Sequence, residues 1–172
     1  MAKCVVTGGA GFIGSHITEQ LLAAGHETVI VDNFSTGRIE NVEIHKGNPR
    51  VSVLKADIAG LDAIKPAFAG AERVFHIAAL ADIVPSIVDP VAYYRSNVLG
   101  TFNVLEAARA AGVKRFVYAA SSSCYGIPDA YPTLESAPAR PQYPYALTKY
   151  LGEQAVMHWS QVYGLPAVSL RL

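Results

Sequence analysis

The 172-residue chain lacks the marks of several protein classes. It has two cysteines, Cys4 and Cys124, too few and too far apart for a disulfide framework or a metal knuckle. Cys4 sits in an apolar run and Cys124 among small residues, so both read as buried, reduced thiols. The five histidines are dispersed, with no Cys, Asp or Glu at ligand spacing, and no metal is expected. Charge is sparse and balanced, 14 Lys and Arg against 14 Asp and Glu, and no basic cluster offers nucleic acid an electrostatic footprint. No apolar run approaches the ~20 residues that span a bilayer. Met1-Ala-Lys3 leads straight into a strand pattern, leaving no room for a signal peptide, so a cytoplasmic, reducing setting is expected. Repeats and low-complexity tracts are absent. The serines at 121–123 lack the G-x-S-x-G surroundings of a hydrolase nucleophile.

The chain is rich instead in apolar residues and in alternating patterns. Apolar residues make up 51% and charged ones 16%, enough for one well-covered core in one domain over 1–172. Strand patterns at 3–7, 27–32, 51–55, 73–77, 114–120 and 166–171 alternate with helical ones beginning near Phe12, Leu61, Asp89 and Pro144. Gly25, Gly112 and Gly164 come after helices as stop signals, and Pro90 and Pro144 open them. This order predicts an α/β fold, a doubly wound parallel sheet between two helical layers. Pro128, Pro132, Pro138 and Pro141 punctuate 127–143, which reads as a loop over the sheet's carboxyl edge.

Two motifs carry chemistry. Gly8-Gly-Ala-Gly11-Phe-Ile-Gly14 comes after the first strand and opens a helix. Its glycines serve a tight turn, backbone approach to a pyrophosphate and close helix–strand packing, while the helix N-terminus supplies amide donors. The spacing is G-x-x-G-x-x-G. Asp32, eighteen residues past Gly14, is placed to accept from ribose hydroxyls and to repel a 2′-phosphate. NAD is therefore favoured over NADP, with Arg38 opposing that preference. Asp57 is placed for an adenine amino group and Ile58 for the face of the ring.

The second motif is Tyr145-Ala-Leu-Thr-Lys149. A phenol in water ionises near pH ~10, but a cation one helical turn along favours its anion, as does an oxidised nicotinamide. Lysine can also hold the nicotinamide ribose. Ser121, at the end of the fifth strand, can hydrogen-bond the same reacting oxygen. Cradle and pair together predict dinucleotide-dependent redox chemistry on a hydroxyl. His76 reads as a hydrogen-bonded core residue near the cofactor.

With four further stretches, Val31–Gly37, His76–Leu80, Asn97–Thr101 and Ala120–Gly126, these motifs make the chain resemble the extended short-chain dehydrogenase/reductase superfamily. Within it, the chain is similar to the NAD-dependent nucleotide-sugar epimerase/dehydratase family, over essentially its whole length. The resemblance implies a Rossmann fold with Ser121, Tyr145 and Lys149 as catalytic set. The implied NAD contacts are Gly8, Gly11, Phe12, Ile13, Gly14, Asp32, Asn33, Ser35, Thr36, Gly37, Asp57, Ile58, Ala78, Ala79, Leu80, Asn97, Tyr145 and Lys149. Dehydratases of this family place Asp-Glu after the catalytic Thr, where this chain has Ser122 and Ser123. That favours a UDP-hexose 4-epimerase, with UDP-glucuronate decarboxylases the nearest competitors and an inactive NAD-binding module a further alternative. The resemblance further implies a substrate domain absent from this chain, a UDP-sugar as substrate, and a homodimer through the helices 89–111 and 144–163. Apolar faces left wet by the absent domain predict self-association.

Overall fold

The computed structural model describes residues 1–172. Six strands, β1 (Lys3–Thr7), β2 (Glu27–Asp32), β3 (Val51–Lys55), β4 (Arg73–His76), β5 (Arg115–Ala120) and β6 (Ala167–Arg171), form one sheet. Its order is β3-β2-β1-β4-β5-β6, and every pairing is parallel. The helices are α1 (Phe12–Ala23), α2 (Glu40–Glu43), α3 (Leu61–Phe68), α4 (Ile83–Val88), α5 (Pro90–Tyr93), α6 (Gly100–Ala111) and α7 (Pro144–Tyr163). Parallel strands require crossovers, and here these carry helices that cover the faces of the sheet. The doubly wound fold expected from the alternation is the one that forms.

Local chemistry explains the boundaries. Gly112 and Gly164 take left-handed φ of 64° and 66° at the ends of α6 and α7, where a side chain would be strained. Asp89 accepts from the Ala92 amide at 3.1 Å and Pro90 stands at the first helical position, starting α5. The single helix expected over 89–111 is interrupted, because Tyr94–Leu99 takes a π-helical path between α5 and α6. Periodicity cannot reveal that bulge, since one extra residue in the turn leaves the flanking patterns intact. Two short helices, α2 and α4, and a 3-10 turn at Ser122–Tyr125 also escape the sequence patterns.

The main core lies between the sheet and the layer of α3, α6 and α7, with Val5, Val74, Phe116 and Tyr118 meeting Ile64, Phe68, Leu105 and Val156. Strand β6 is an outer edge, and Val168 and Leu170 remain exposed on it. Helix α7 lies so close to β5 that a Cβ on Gly152 would overlap the Tyr118 hydroxyl oxygen and stand 3.2 Å from the Asn97 carbonyl oxygen. Gly152→Ala is expected to destabilise the chain by about 1–3 kcal/mol in urea denaturation. Adding Tyr118→Phe, which removes the nearest clashing atom, should recover part of that loss, and no recovery would reject this packing account.

Candidate active site

The turn after β1 is built from backbone. A Cβ on Gly8, at φ 72°, would lie 2.6 Å from the Ala78 amide nitrogen, and one on Gly14 would run into the Gly8 carbonyl oxygen. Hence the exit of β4 and the first turn of α1 approach the loop at distances that only glycine permits. Gly11 caps α1 without a side-chain hydrogen bond, leaving the first amides of the helix free for an anion. Between β1 and β4 the strand order reverses, and a cleft of about 280 Å³ opens there at the carboxyl ends of the strands.

Gly8, Gly11, Phe12, Ile13, Gly14, Asp32, Asn33, Ser35, Thr36, Gly37, Ile58, Ala78, Ala79 and Leu80 all line this cleft, as their sequence positions suggest. Val31, Ala56, Ile77 and Ser96 line it too. The first three adjoin expected residues at strand ends, a signal that position alone could have supplied. Asp32 is buried, and its carboxylate accepts from the amides of Ala10 at 2.9 Å and Phe34 at 2.8 Å. A carboxylate has about four acceptor sites, so capacity for hydroxyl donors remains. Uncapped amides, a backbone cradle and a terminal carboxylate fit a dinucleotide's diphosphate and ribose.

Asp57 stands between two lining residues, Ala56 and Ile58. It is not in the lining; its Oδ1 accepts from the Ala59 amide at 2.9 Å and its Oδ2 pairs with Arg95 Nη1 at 3.0 Å. Arg95 comes from the π-helical turn. Asn97, Tyr145 and Lys149 also lie outside the lining, in an adjoining polar cluster.

That cluster is a chain of buried hydrogen bonds. Thr7 Oγ1 meets His76 Nδ1 at 2.7 Å, and His76 Nε2 meets Thr101 Oγ1 at 3.0 Å. Thr101 donates to the Asn97 carbonyl at 2.6 Å, so its oxygen accepts from His76 Nε2–H. Burial, assisted by the Lys149 charge, lowers the imidazole pKa to about 3 and keeps the ring neutral, so Nδ1 accepts from the Thr7 hydroxyl. Asn97 then grips the Leu80 backbone twice, accepting from its amide at 2.8 Å and donating to its carbonyl at 3.0 Å. The Asn97 amide also donates to Thr148 Oγ1 at 3.1 Å, and Thr148 donates to the Tyr145 carbonyl at 3.0 Å. Asn97 thereby ties the cleft wall to α7.

On α7, Tyr145 Oη donates to Ser121 Oγ at 3.4 Å. Lys149, one turn along, is 4% exposed, with Nζ 4.4 Å from the centre of the Tyr118 ring. Burial lowers the pKa of this ammonium to about 7, against a raising effect from Glu153. The phenol, the serine hydroxyl and a lysine whose proton is held loosely form a group able to take a proton from a hydroxyl and return it. His76 serves as scaffold rather than base. Sequence reasoning missed Tyr118 and Glu153; the only signal for Glu153 was its place four residues after Lys149, on the same helical face.

Fold and site together define a short-chain dehydrogenase/reductase: a doubly wound dinucleotide fold with a Ser-Tyr-Lys cluster at its carboxyl rim. More narrowly, residues 4–172 match the NAD dependent epimerase/dehydratase family, and the chain belongs to it. It is 38% identical over 172 residues to a UDP-glucose 4-epimerase of Streptomyces lividans, covering 98% of this chain and 50% of that protein. The Thermus thermophilus UDP-glucose 4-epimerase, solved in complex with NAD, superposes with a TM-score of 0.89 at 40% identity, covering 98% of this chain and 54% of that one. DesIV, a dTDP-glucose 4,6-dehydratase of Streptomyces venezuelae solved with NAD and TYD bound, gives 0.93 at 31% identity, covering 98% and 55%. The chain spans about half the length of the relatives it matches.

The neutral His76 has a pH signature. With its folded pKa near 3 and an ordinary value of 6.5, the unfolded chain binds the extra proton between those limits. Stability from the neutral imidazole is complete above pH 6.5 and is lost as pH falls toward 3, at about 1.4 kcal/mol per pH unit. Denaturant melts of wild type and His76→Gln between about pH 7 and 5 should show a shallower pH slope for the variant; parallel slopes would refute the assignment.

Proposed function

We propose that residues 1–172 are the NAD-binding domain of a nucleotide-sugar 4-epimerase acting on a UDP-hexose. The observation that carries this reading is the contact of Tyr145 Oη with Ser121 Oγ, 3.4 Å, beside a buried lysine and tied through Asn97 to the wall of a dinucleotide-shaped cleft. The glycine turn and the α1 amides hold the NAD diphosphate, Asp32 the adenosine ribose, and Ile58 the adenine. NAD bound there supplies a reversible hydride acceptor for the sugar carbon. Tyr145 takes the proton of the sugar hydroxyl and returns it, and Ser121 fixes the same oxygen by hydrogen bonding. Lys149 keeps a positive charge near the phenol and would hold the nicotinamide ribose by hydrogen bonding.

The two residues after Ser121 favour epimerisation over dehydration. Elimination of water needs an acid and a base beside the reacting carbons. At those two positions the 3-10 turn offers only the hydroxyls of Ser122 and Ser123, and the Ser123 amide is spent on Ser121 Oγ at 3.2 Å. Relatives named UDP-glucose 4-epimerase support the same choice.

Titration calorimetry of the chain should show NAD binding that Gly14→Ala weakens at least about tenfold, since the added methyl displaces the cradle. Tyr145→Phe should bind NAD within a few-fold of wild type. In any longer chain with measurable UDP-glucose/UDP-galactose interconversion, it should lower kcat by roughly 10²–10⁴. Absence of NAD binding by the wild-type chain overturns the reading.

A second copy of the chain is proposed as the partner of the α5–α7 face. Val91, Tyr94, Phe102, Leu147, Leu151 and Met157 remain exposed along an apolar groove between these helices. Sedimentation should find a dimer that Leu151→Glu dissociates, and a wild-type monomer at all concentrations rejects the interface.

A further inference from the structure

Glu153 is an acidic side chain buried in the core beside the proton-transfer pair. It is 7% exposed, lies one helical turn beyond Lys149 on α7, and does not pair with that lysine. Its carboxylate turns to β6 instead: Arg171 Nε donates to Oε1 at 3.1 Å and Oε2 at 3.0 Å, and Ser169 Oγ donates to Oε1 at 3.0 Å. The Arg171 guanidinium in turn lies 4.7 Å from the centre of the Tyr125 ring, in the 3-10 turn that leaves Ser121. Arg171 is paired in the sheet with Ala120, the residue before Ser121. One carboxylate therefore joins α7, β6 and the serine turn.

We propose that Glu153 is a positioning residue for the Tyr145–Lys149 pair, supplying the buried negative charge that balances the Lys149 ammonium while Arg171 and Ser169 hold it off direct contact. The groups around Lys149 leave few alternatives. Tyr145 and Glu153 lie on its own helix, the neutral phenol of Tyr118 is on β5, neutral His76 is on β4, and Tyr93 comes from α5 against Tyr145. Glu153, buried one helical turn from Lys149, carries a negative charge whose field opposes the burial that strips the lysine's proton. Direct pairing would fix Lys149 on Glu153 and withdraw it from the phenol. Arg171 prevents that by occupying both oxygens. The arrangement leaves the ammonium with an electrostatic partner and its donors free.

This rests on the reading of Tyr145 and Lys149 as the proton-transfer pair, but its test needs no turnover. Side-chain ¹³C-labelled lysine reports the Lys149 titration midpoint by NMR in the 172-residue chain without cofactor. Glu153→Gln should lower that midpoint by about 0.5–1 pH. Arg171→Gln should leave it unchanged or raise it, since it removes a cation, even though both variants lose thermal stability. If Glu153→Gln leaves an unpaired buried arginine and does not fold, the Glu153→Gln/Arg171→Gln double variant is compared with Arg171→Gln and should show the same fall. Glu153→Asp, which keeps the charge, should stay near wild type. No fall on removing the carboxylate, or an equal fall in Arg171→Gln, would overturn the proposal and leave the nucleotide-sugar reading untouched.

Discussion

The carboxyl rim depends on a buried polar chain in which every donor must meet an acceptor. It runs from Thr7 on β1 through His76 on β4, Thr101 on α6 and Asn97 in the π-helical turn to Thr148 on α7. An unsatisfied polar group in such a place costs roughly 1–3 kcal/mol, so a shift of one element breaks the spacing of all the others. This chain of bonds fixes the distance between the wall of the dinucleotide cleft and the helix that presents Tyr145. The Asn97 carbonyl at one end places a proton on His76 Nε2, and burial keeps the ring neutral.

The π-helical turn takes its place in the same scheme. A turn with one additional residue presents three consecutive side chains to three tasks: Arg95 to Asp57, Ser96 to the cleft and Asn97 to Leu80 and Thr148.

Electrostatics completes the site with few charges. Lys149 is buried on an aromatic face, and the carboxylate one helical turn along, Glu153, is committed to Arg171. Placing a cation where water is scarce makes its proton easy to lose, and a carboxylate at a distance restores part of that affinity. The balance serves a lysine that has to stay near a phenol without being captured by an acid.

Sequence alone determined the sheet class, all six strand positions to within a residue, the glycine cradle, the place of Asp32 and the gathering of Ser121, Tyr145 and Lys149 at one rim. Each of these comes from short-range rules: hydrophobic period, glycine where a Cβ cannot fit, and residues one helical turn apart. Tertiary structure alone decided the pairing of Asp57 with Arg95, the tautomer of His76, the grip of Asn97 on Leu80 and the bridge from Glu153 to Arg171. Those contacts join residues 17 to 69 positions apart across different elements, at angles set by sheet twist and helix packing, and local pattern carries no information about them.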